Sequence, residues 1–174
     1  LDKAGHDDLL TRGNNVVNLD KGFLLDVLYF GESTGKFRYH IHNTVFDRTV
    51  SGNGFSLHAH PSYRFTDNYI LTAGVWYQQS DNWLIWKNGN KTNTFDKKSL
   101  TARINFDAII DDKQHVSIKF EWVALRAKGQ SVYEVADNGS LNKQDEIAND
   151  FNLSDVAMQI RYRYEIAPLS NIYL

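Results

Sequence analysis

Apolar and polar side chains alternate along most of this chain. From Phe37 to His42, the odd-numbered side chains are apolar and the even-numbered ones are polar. A period of two is that of a β-strand, and no long stretch shows the period of a helix. The same alternation recurs, strictly or in part, over 22–30, 55–65, 69–79, 100–108, 116–124 and 156–165. We therefore predict an all-β chain of about seven full strands and an eighth that is cut short.

The connections between these strands differ in length in a regular way. Short connections, rich in residues that favour turns, alternate with long ones. The short ones are 32–36, 66–68, 111–114 and 167–170, and the long ones are 47–54, 80–99 and 127–151. This order predicts an antiparallel up-and-down meander with tight turns at one end and loops at the other. Asn88-Gly89 and Asn138-Gly139 are hairpin signals, so we expect the two longest loops to project as ribbons.

The predicted strands are long for a soluble protein. They contain about 9 to 13 residues, near the roughly 9–11 with which a tilted strand crosses a bilayer, whereas soluble strands usually have about five or six. We therefore predict a single β-barrel domain over residues 1–174, or a fragment of a larger barrel. A soluble barrel or sandwich is the alternative, because both classes share the period of two.

The polar face of the predicted strands carries long side chains of both charges. Such a face suits bulk water, or a wet barrel lumen across which charges pair. The candidate lumen charges are Arg38, Arg64, Arg103, Asp107, Lys119, Glu121, Arg161, Arg163 and Glu165. One interpretation is a constriction that selects solutes. The other is a ladder of opposite charges that offset each other, with little contribution from each exposed pair.

The apolar face places aromatic residues near the tight-turn ends and aliphatic residues toward the middle. These aromatic residues are Tyr63, Phe65, Tyr69, Phe106, Tyr162 and Tyr164. Rings that flank an aliphatic band are typical of an outer-membrane barrel, where they lie at the headgroup level. Pro61 fits this interpretation poorly, because proline removes a hydrogen-bond donor from the ladder. We expect Pro61 to mark a bulge or an edge strand.

Composition narrows the functional classes. The 174 residues are 42% hydrophobic, and 19 Lys and Arg against 21 Asp and Glu give a net charge of -2, which supplies no basic footprint, so we predict no nucleic-acid partner. Cysteine is absent, so disulfides and thiolate chemistry are excluded. No apolar run approaches the roughly 20 residues of a membrane helix. Known catalytic and nucleotide-binding motifs are missing, so we predict neither an enzyme nor a cofactor.

Four histidines form a candidate metal site. His40 and His42 fall on the polar side of one strand, and His58 and His60 on that of the next. If paired positions sum to 100, His42 faces His58 and His40 faces His60. Neutral imidazoles commonly bind zinc, copper or nickel. The alternative is a set of polar histidines bonded to neighbouring side chains or water, and a one-residue slip would separate the pairs.

Aromatic residues cluster around the first long loop. Trp76, Tyr77, Trp83 and Trp86 lie close in sequence, with asparagines interleaved. Flat rings beside amide groups suit stacking on a sugar and hydrogen bonding to its hydroxyls. This cluster supports the alternative function, a soluble carbohydrate-binding module. A loop hairpin that buries its own tryptophans explains the same residues.

The closing segment 159–174, QIRYRYEIAPLSNIYL, resembles the C-terminal region of a family of large bacterial envelope proteins. In that family a carbohydrate-binding-like β-sandwich precedes a C-terminal β-barrel of unassigned function. The resemblance implies a location in the bacterial outer membrane, lipid as a partner, and passage or docking of a carbohydrate or other small solute through a polar lumen. It implies no reaction and no catalytic residue. The family's pattern continues past the position of Leu174, so we expect the remainder of a parent polypeptide to complete the last strand.

Overall fold

The chain folds almost entirely into β-strands. A computed structural model describes residues 4–31, 34–48 and 52–174. The strands are β1 (Gly5–Asp7), β2 (Val17–Leu19), β3 (Phe23–Phe30), β4 (Phe37–Arg48), β5 (Gly52–Thr66), β6 (Tyr69–Asn88), β7 (Lys91–Asp111), β8 (Gln114–Val135), β9 (Leu141–Lys143), β10 (Phe151–Ala167) and β11 (Ser170–Tyr173), with one 3-10 helix over Leu9–Thr11. None of the described residues forms a helix of the length and apolarity that a bilayer crossing requires.

The main sheet is an antiparallel meander, as predicted. Its order is β3-β4-β5-β6-β7-β8-β10-β11, and β9 pairs with the far end of β8. Seven long strands and the four-residue β11 correspond to the seven full strands and the shortened eighth. Within the described ranges, β3 pairs only with β4 and β11 only with β10, so the sheet is open and a closed barrel is not observed.

The predicted turns and ribbons are confirmed, but the strand lengths are not. Tight turns join the strands at 66–68, 111–114 and 167–170, while parts of 32–36 and 47–54 lie outside the described residues. The two longest loops continue the ladder: β6 and β7 remain paired out to Asn88 and Lys91. As a result β6, β7 and β8 contain 20, 21 and 22 residues. Hairpin signals inside the loops allow pairing to continue across them.

The extended strands pack into two small cores at the end that carries the long hairpins. Phe95, Ala127, Val132 and Ala148 form one core, and Val17, Leu84 and Val135 form the other. Trp83 packs on the first core while its neighbour Leu84 belongs to the second, so the cores lie on opposite faces of the sheet. The ribbon end, as named below, consists of residues 81–88 of β6, 91–96 of β7 and 126–135 of β8, with the segments that cover them.

Toward the tight turns the sheet is a single layer. Its apolar face carries Leu57, Val75, Ile104, Val156 and Met158, which are 43%, 45%, 48%, 59% and 64% exposed. Cross-strand neighbours keep these residues on one face, because Ala59 pairs with Val75 and Trp122 pairs with Val156. None of the described segments covers this face.

Pro61 lies in a central strand, which corrects the expectation of a bulge or an edge. It pairs with Tyr39 of β4 on one side. On the other side the β5–β6 ladder skips His60 and Pro61, and the register is the same at Ala59 and at Ser62. The missing N–H of proline is therefore accommodated by a local gap in the ladder, without an inserted residue.

Candidate functional site

The polar face collects the charged side chains that the sequence singled out. All nine candidate lumen charges lie on it, by pairing or by alternation: Arg38, Arg64, Arg103, Asp107, Lys119, Glu121, Arg161, Arg163 and Glu165. Arg103 and Glu121 pair directly across β7 and β8, with 2.5 Å between Nε and Oε2. Nε2 of His115 lies 3.6 Å from Oδ1 of Asp107. Arg103 and Glu121 are thus opposite charges that face each other across strands, and the role of the nine charges at a lumen stays a prediction.

The four histidines form one patch on this face. His40 pairs with His60 and His42 with His58, so the predicted register is confirmed. The rings of His40 and His60 are stacked, with centroids 4.8 Å apart. The ring of His58 lies 5.5 Å from that of His40 and 5.9 Å from that of His60. These four residues are called the histidine patch.

A carboxylate from the neighbouring strand holds one member of the patch. Nε2 of His42 lies 3.0 Å from Oδ1 of Asp26 in β3, and the buried Thr44 hydroxyl donates to the same oxygen at 2.6 Å. Among the described residues, no three His, Cys, Asp or Glu side chains are placed to hold a metal ion. The metal site therefore stays a prediction that requires the rings to rotate, and a calorimetric titration with Zn²⁺ that detects no stoichiometric binding would remove it.

A hollow of about 210 Å³ opens in the polar face beside the histidine patch. It is lined by His58, His60, Gly74, Trp76, Thr101, Arg103 and Asn105. Gly74 is buried, and a Cβ at this position would lie 3.4 Å from Cδ2 of His60 and 3.9 Å from Cβ of Arg103. The absent side chain of Gly74 therefore contributes the space. Trp76 forms an aromatic wall and is 49% exposed.

The structure separates the four aromatic residues that were candidates for one carbohydrate-binding surface. Trp76 and Tyr77 are successive residues of β6 and point to opposite faces. Trp83 packs against a core of the ribbon end. Nε1 of Trp86 donates to the carbonyl oxygen of Gly89 at 2.9 Å. Strand alternation and core packing therefore disperse four rings that are close in sequence, and their role in carbohydrate binding stays a prediction.

Two ionisable groups of β7 have lowered pKa values. Burial lowers the pKa of Lys97, whose ammonium donates to Oε1 of Gln78 at 2.9 Å. At the β7–β8 turn, Asp111 accepts hydrogen bonds from the backbone N–H of Lys113 at 2.8 Å and from Nε2 of Gln114 at 2.6 Å. These hydrogen bonds, the one from Lys113 first, lower the pKa of Asp111. Neither group belongs to the hollow.

Sequence reasoning did not place Gly74, Trp76, Thr101 and Asn105 in one site. The signal that could have identified Gly74 and Trp76 is alternation. Both are even-numbered residues of β6, like Thr72, and so lie on the polar face, whereas Leu71 and the other odd-numbered apolar residues of β6 lie on the opposite face. The nearby loop tryptophans obscured it. The contribution of β7 depends on register, which pairs Trp76 with Thr101 and Gly74 with Arg103.

The chain is therefore an all-β protein of the antiparallel meander class. Its sheet has one charged face and one exposed apolar face. A model of the family described as Domain of unknown function (DUF5916) matches residues 11–174. Because the match covers nearly the whole chain, the chain belongs to this family. No curated protein and no solved structure gives a significant match.

Proposed function

We propose that this chain is a segment of a bacterial outer-membrane β-barrel, in which the apolar face contacts lipid and the polar face borders a wet lumen. The function is passage or docking of a small solute through that lumen, with the ribbon end outside the bilayer. The proposal requires no cofactor and no chemical step.

The observation that carries the proposal is the uncovered apolar face. Monomeric soluble proteins rarely expose large contiguous apolar patches. Here the exposed apolar side chains extend across successive strands, from Val27 in β3 at 56% exposed to Ile160 in β10 at 59%. Lipid supplies the apolar surroundings that the described residues do not.

The dimensions of the apolar face suit a bilayer. Phe55 and Tyr63 lie about eight residues apart in β5, or about 26 Å along a strand at roughly 3.3 Å per residue. Outer-membrane barrels have an apolar band about 25 Å tall with aromatic girdles at both borders. Ring contacts mark the two levels here, Phe55 with Tyr77 at 5.8 Å and Tyr63 with Phe65 at 4.9 Å between centroids.

The open edges are consistent with a role for the remainder of a parent polypeptide. In the described part of the chain, residues 151–161 of β10 pair only with β8, and β3 pairs only with β4. In the antiparallel meander β3 and β10 run in the same direction, so one strand antiparallel to both is able to pair with each. We propose that further strands complete the barrel there, because unsatisfied backbone groups are costly in lipid.

Two tryptophans at nearly the same level of the sheet provide the test. Trp122 lies on the apolar face and pairs with Ala102, while Trp76 lies on the polar face and pairs with Thr101. The full-length protein is reconstituted with lipids that carry a nitroxide quencher on the acyl chain. We expect Trp122→Phe to remove most of the lipid-dependent quenching, and the matched control Trp76→Phe to leave it nearly unchanged.

Two outcomes contradict the proposal. One is a full-length protein that partitions into the aqueous fraction without detergent. The other is equal quenching of Trp76 and Trp122, since the proposal places only one of these rings against lipid.

A further inference from the structure

We propose that the hollow beside the histidine patch is a binding subsite for a single neutral sugar ring. This inference rests on the proposed function, because it names the class of solute that the polar face receives. It differs from the dispersed aromatic cluster, since Trp76 is the one member of that cluster that lies in the hollow.

Size limits the ligand to one ring. Pockets for drug-sized ligands occupy about 300–1,000 Å³, and the hollow occupies about 210 Å³. Gly74 sets this size, because any side chain there projects between His60 and Arg103. An oligosaccharide would therefore occupy the hollow with one unit and continue along the polar face.

The lining combines an aromatic wall with short polar groups. A sugar ring offers an apolar face of C–H groups and an edge of hydroxyls. The indole of Trp76 suits stacking on the first. The hydroxyl of Thr101 and the amide of Asn105 both donate and accept hydrogen bonds, which suits the second.

Charge favours a neutral ligand. Among the residues that the structure describes, Arg103 alone lines the hollow with a guanidinium, and Glu121 lies 2.5 Å from its Nε. The carboxylate offsets the positive charge, so an anion gains little there. The remaining N–H groups of Arg103 are able to donate to hydroxyl oxygens, as neutral ligands require.

Saturation-transfer NMR on the full-length protein tests the subsite. The detergent is a zwitterionic amine oxide, because sugar-based detergents would compete. The probes are methyl α-glucoside and methyl β-galactoside, with glucuronate and galacturonate as charged comparators. We expect saturation transfer to at least one neutral glycoside, and weaker transfer to both anions.

Variants locate the signal. Trp76→Ala removes the stacking surface, and we expect about threefold to tenfold weaker binding. Gly74→Ala fills part of the hollow at ordinary contact distances and weakens binding without disturbing the backbone. Trp122→Phe, on the opposite face, is the control and leaves binding unchanged. The thermal unfolding midpoint of each variant shows that the sheet is intact, and Thr101→Val is a nearly isosteric second choice if Trp76→Ala does not fold.

The inference is overturned if neither glycoside binds, if only the anions bind, or if binding is unchanged in both Trp76→Ala and Gly74→Ala. The lipid-quenching experiment keeps the two proposals apart. Absence of glycoside binding with selective quenching of Trp122 removes the subsite and leaves the membrane segment in place. Glycoside binding without that quenching supports the subsite and removes the membrane assignment.

Discussion

At the scale of single residues, the polar face depends on compensation across strands. Arg103 and Glu121 are 57% and 39% exposed, and an ion pair of this kind contributes about 0–1 kcal/mol to stability. The effect of this pair on stability is therefore small. The pair matters more for the charge of the ligand that the hollow prefers, because no other guanidinium of the described residues lines the hollow.

Removal of the compensating carboxylate should change the preference of the hollow. We expect Glu121→Gln to strengthen binding of glucuronate by about fivefold, since a charge pair at 4 Å in water is worth about 1 kcal/mol. Saturation-transfer titrations measure the change. Glu165→Gln is the control, because Glu165 lies about eight residues, or about 26 Å, farther along β10 than the residue that faces Glu121. Equal effects of the two substitutions would contradict the prediction.

Asp111 makes a turn sensitive to acid. Its folded-state pKa is lowered from the ordinary value of 3.8 by hydrogen bonds, so the ionised carboxylate stabilises the fold above that value. The stabilisation is lost as the pH falls through the folded-state pKa. We expect Asp111→Ala to lower the unfolding midpoint at pH 7 and to have a progressively smaller effect below pH 3.8. Asp112→Ala, in the same turn, is the control; a difference that does not vary with pH would count against this account.

At the scale of elements, the long strands have two different environments. Near the tight turns they form one exposed layer, while at the ribbon end other segments cover them on both faces. Gly129 of β8 marks a close approach, because its N–H donates to Oδ1 of Asp150 at 2.8 Å. A Cβ at Gly129 would overlap the backbone carbonyl of Ala148. The segment 144–150 therefore packs on β8 only because residue 129 has no side chain.

Substitution of this glycine should loosen the ribbon end. We expect Gly129→Ala to lower the free energy of unfolding by about 1–3 kcal/mol, the usual cost of overpacking. Thermal or denaturant unfolding in detergent measures the change. Gly5→Ala is a matched control, since nothing lies within 4 Å of a Cβ there and Gly5 has no positive φ. An equal loss of stability in both variants would exclude close packing as the cause.

At the scale of the whole molecule, the two faces of one sheet differ in chemistry, and near the tight turns the described residues cover neither face. Met158 and Gln159 are successive exposed residues of β10, on the apolar and polar faces respectively. Because the chain contains no cysteine, single cysteines at these positions report on the two faces without interference from within it.

In lipid, the two positions should react differently with a water-soluble maleimide. We expect Gln159→Cys to react at least several-fold faster than Met158→Cys, because the first faces water and the second faces acyl chains. After denaturation in urea, both should react alike, which controls for the intrinsic reactivity of each thiol. Equal rates in lipid would contradict the membrane assignment, because they would show that the apolar face is as accessible to water as the polar face.

The sequence by itself determined the local and periodic features. Alternation identified the strands and the side of each that is polar, and turn residues predicted the meander and the ribbons. It also indicated that the four histidines share a face, whereas the pairing of His40 with His60 was one of several registers that keep the polar residues of β4 and β5 together. These properties depend on neighbours in the chain or on a single strand pair.

The tertiary structure decided what depends on several strands at once. The hollow requires β5, β6 and β7 in register, and its volume comes from the missing side chain at Gly74. Alternation places Gly74 on the polar face but does not show that a cavity forms there. The dispersal of Trp76, Tyr77, Trp83 and Trp86 follows from alternation combined with burial at the ribbon end. Near the tight turns, the described residues leave both faces of the sheet uncovered. Only the tertiary structure shows this, because alternation has the same period whether the apolar side meets protein or lipid.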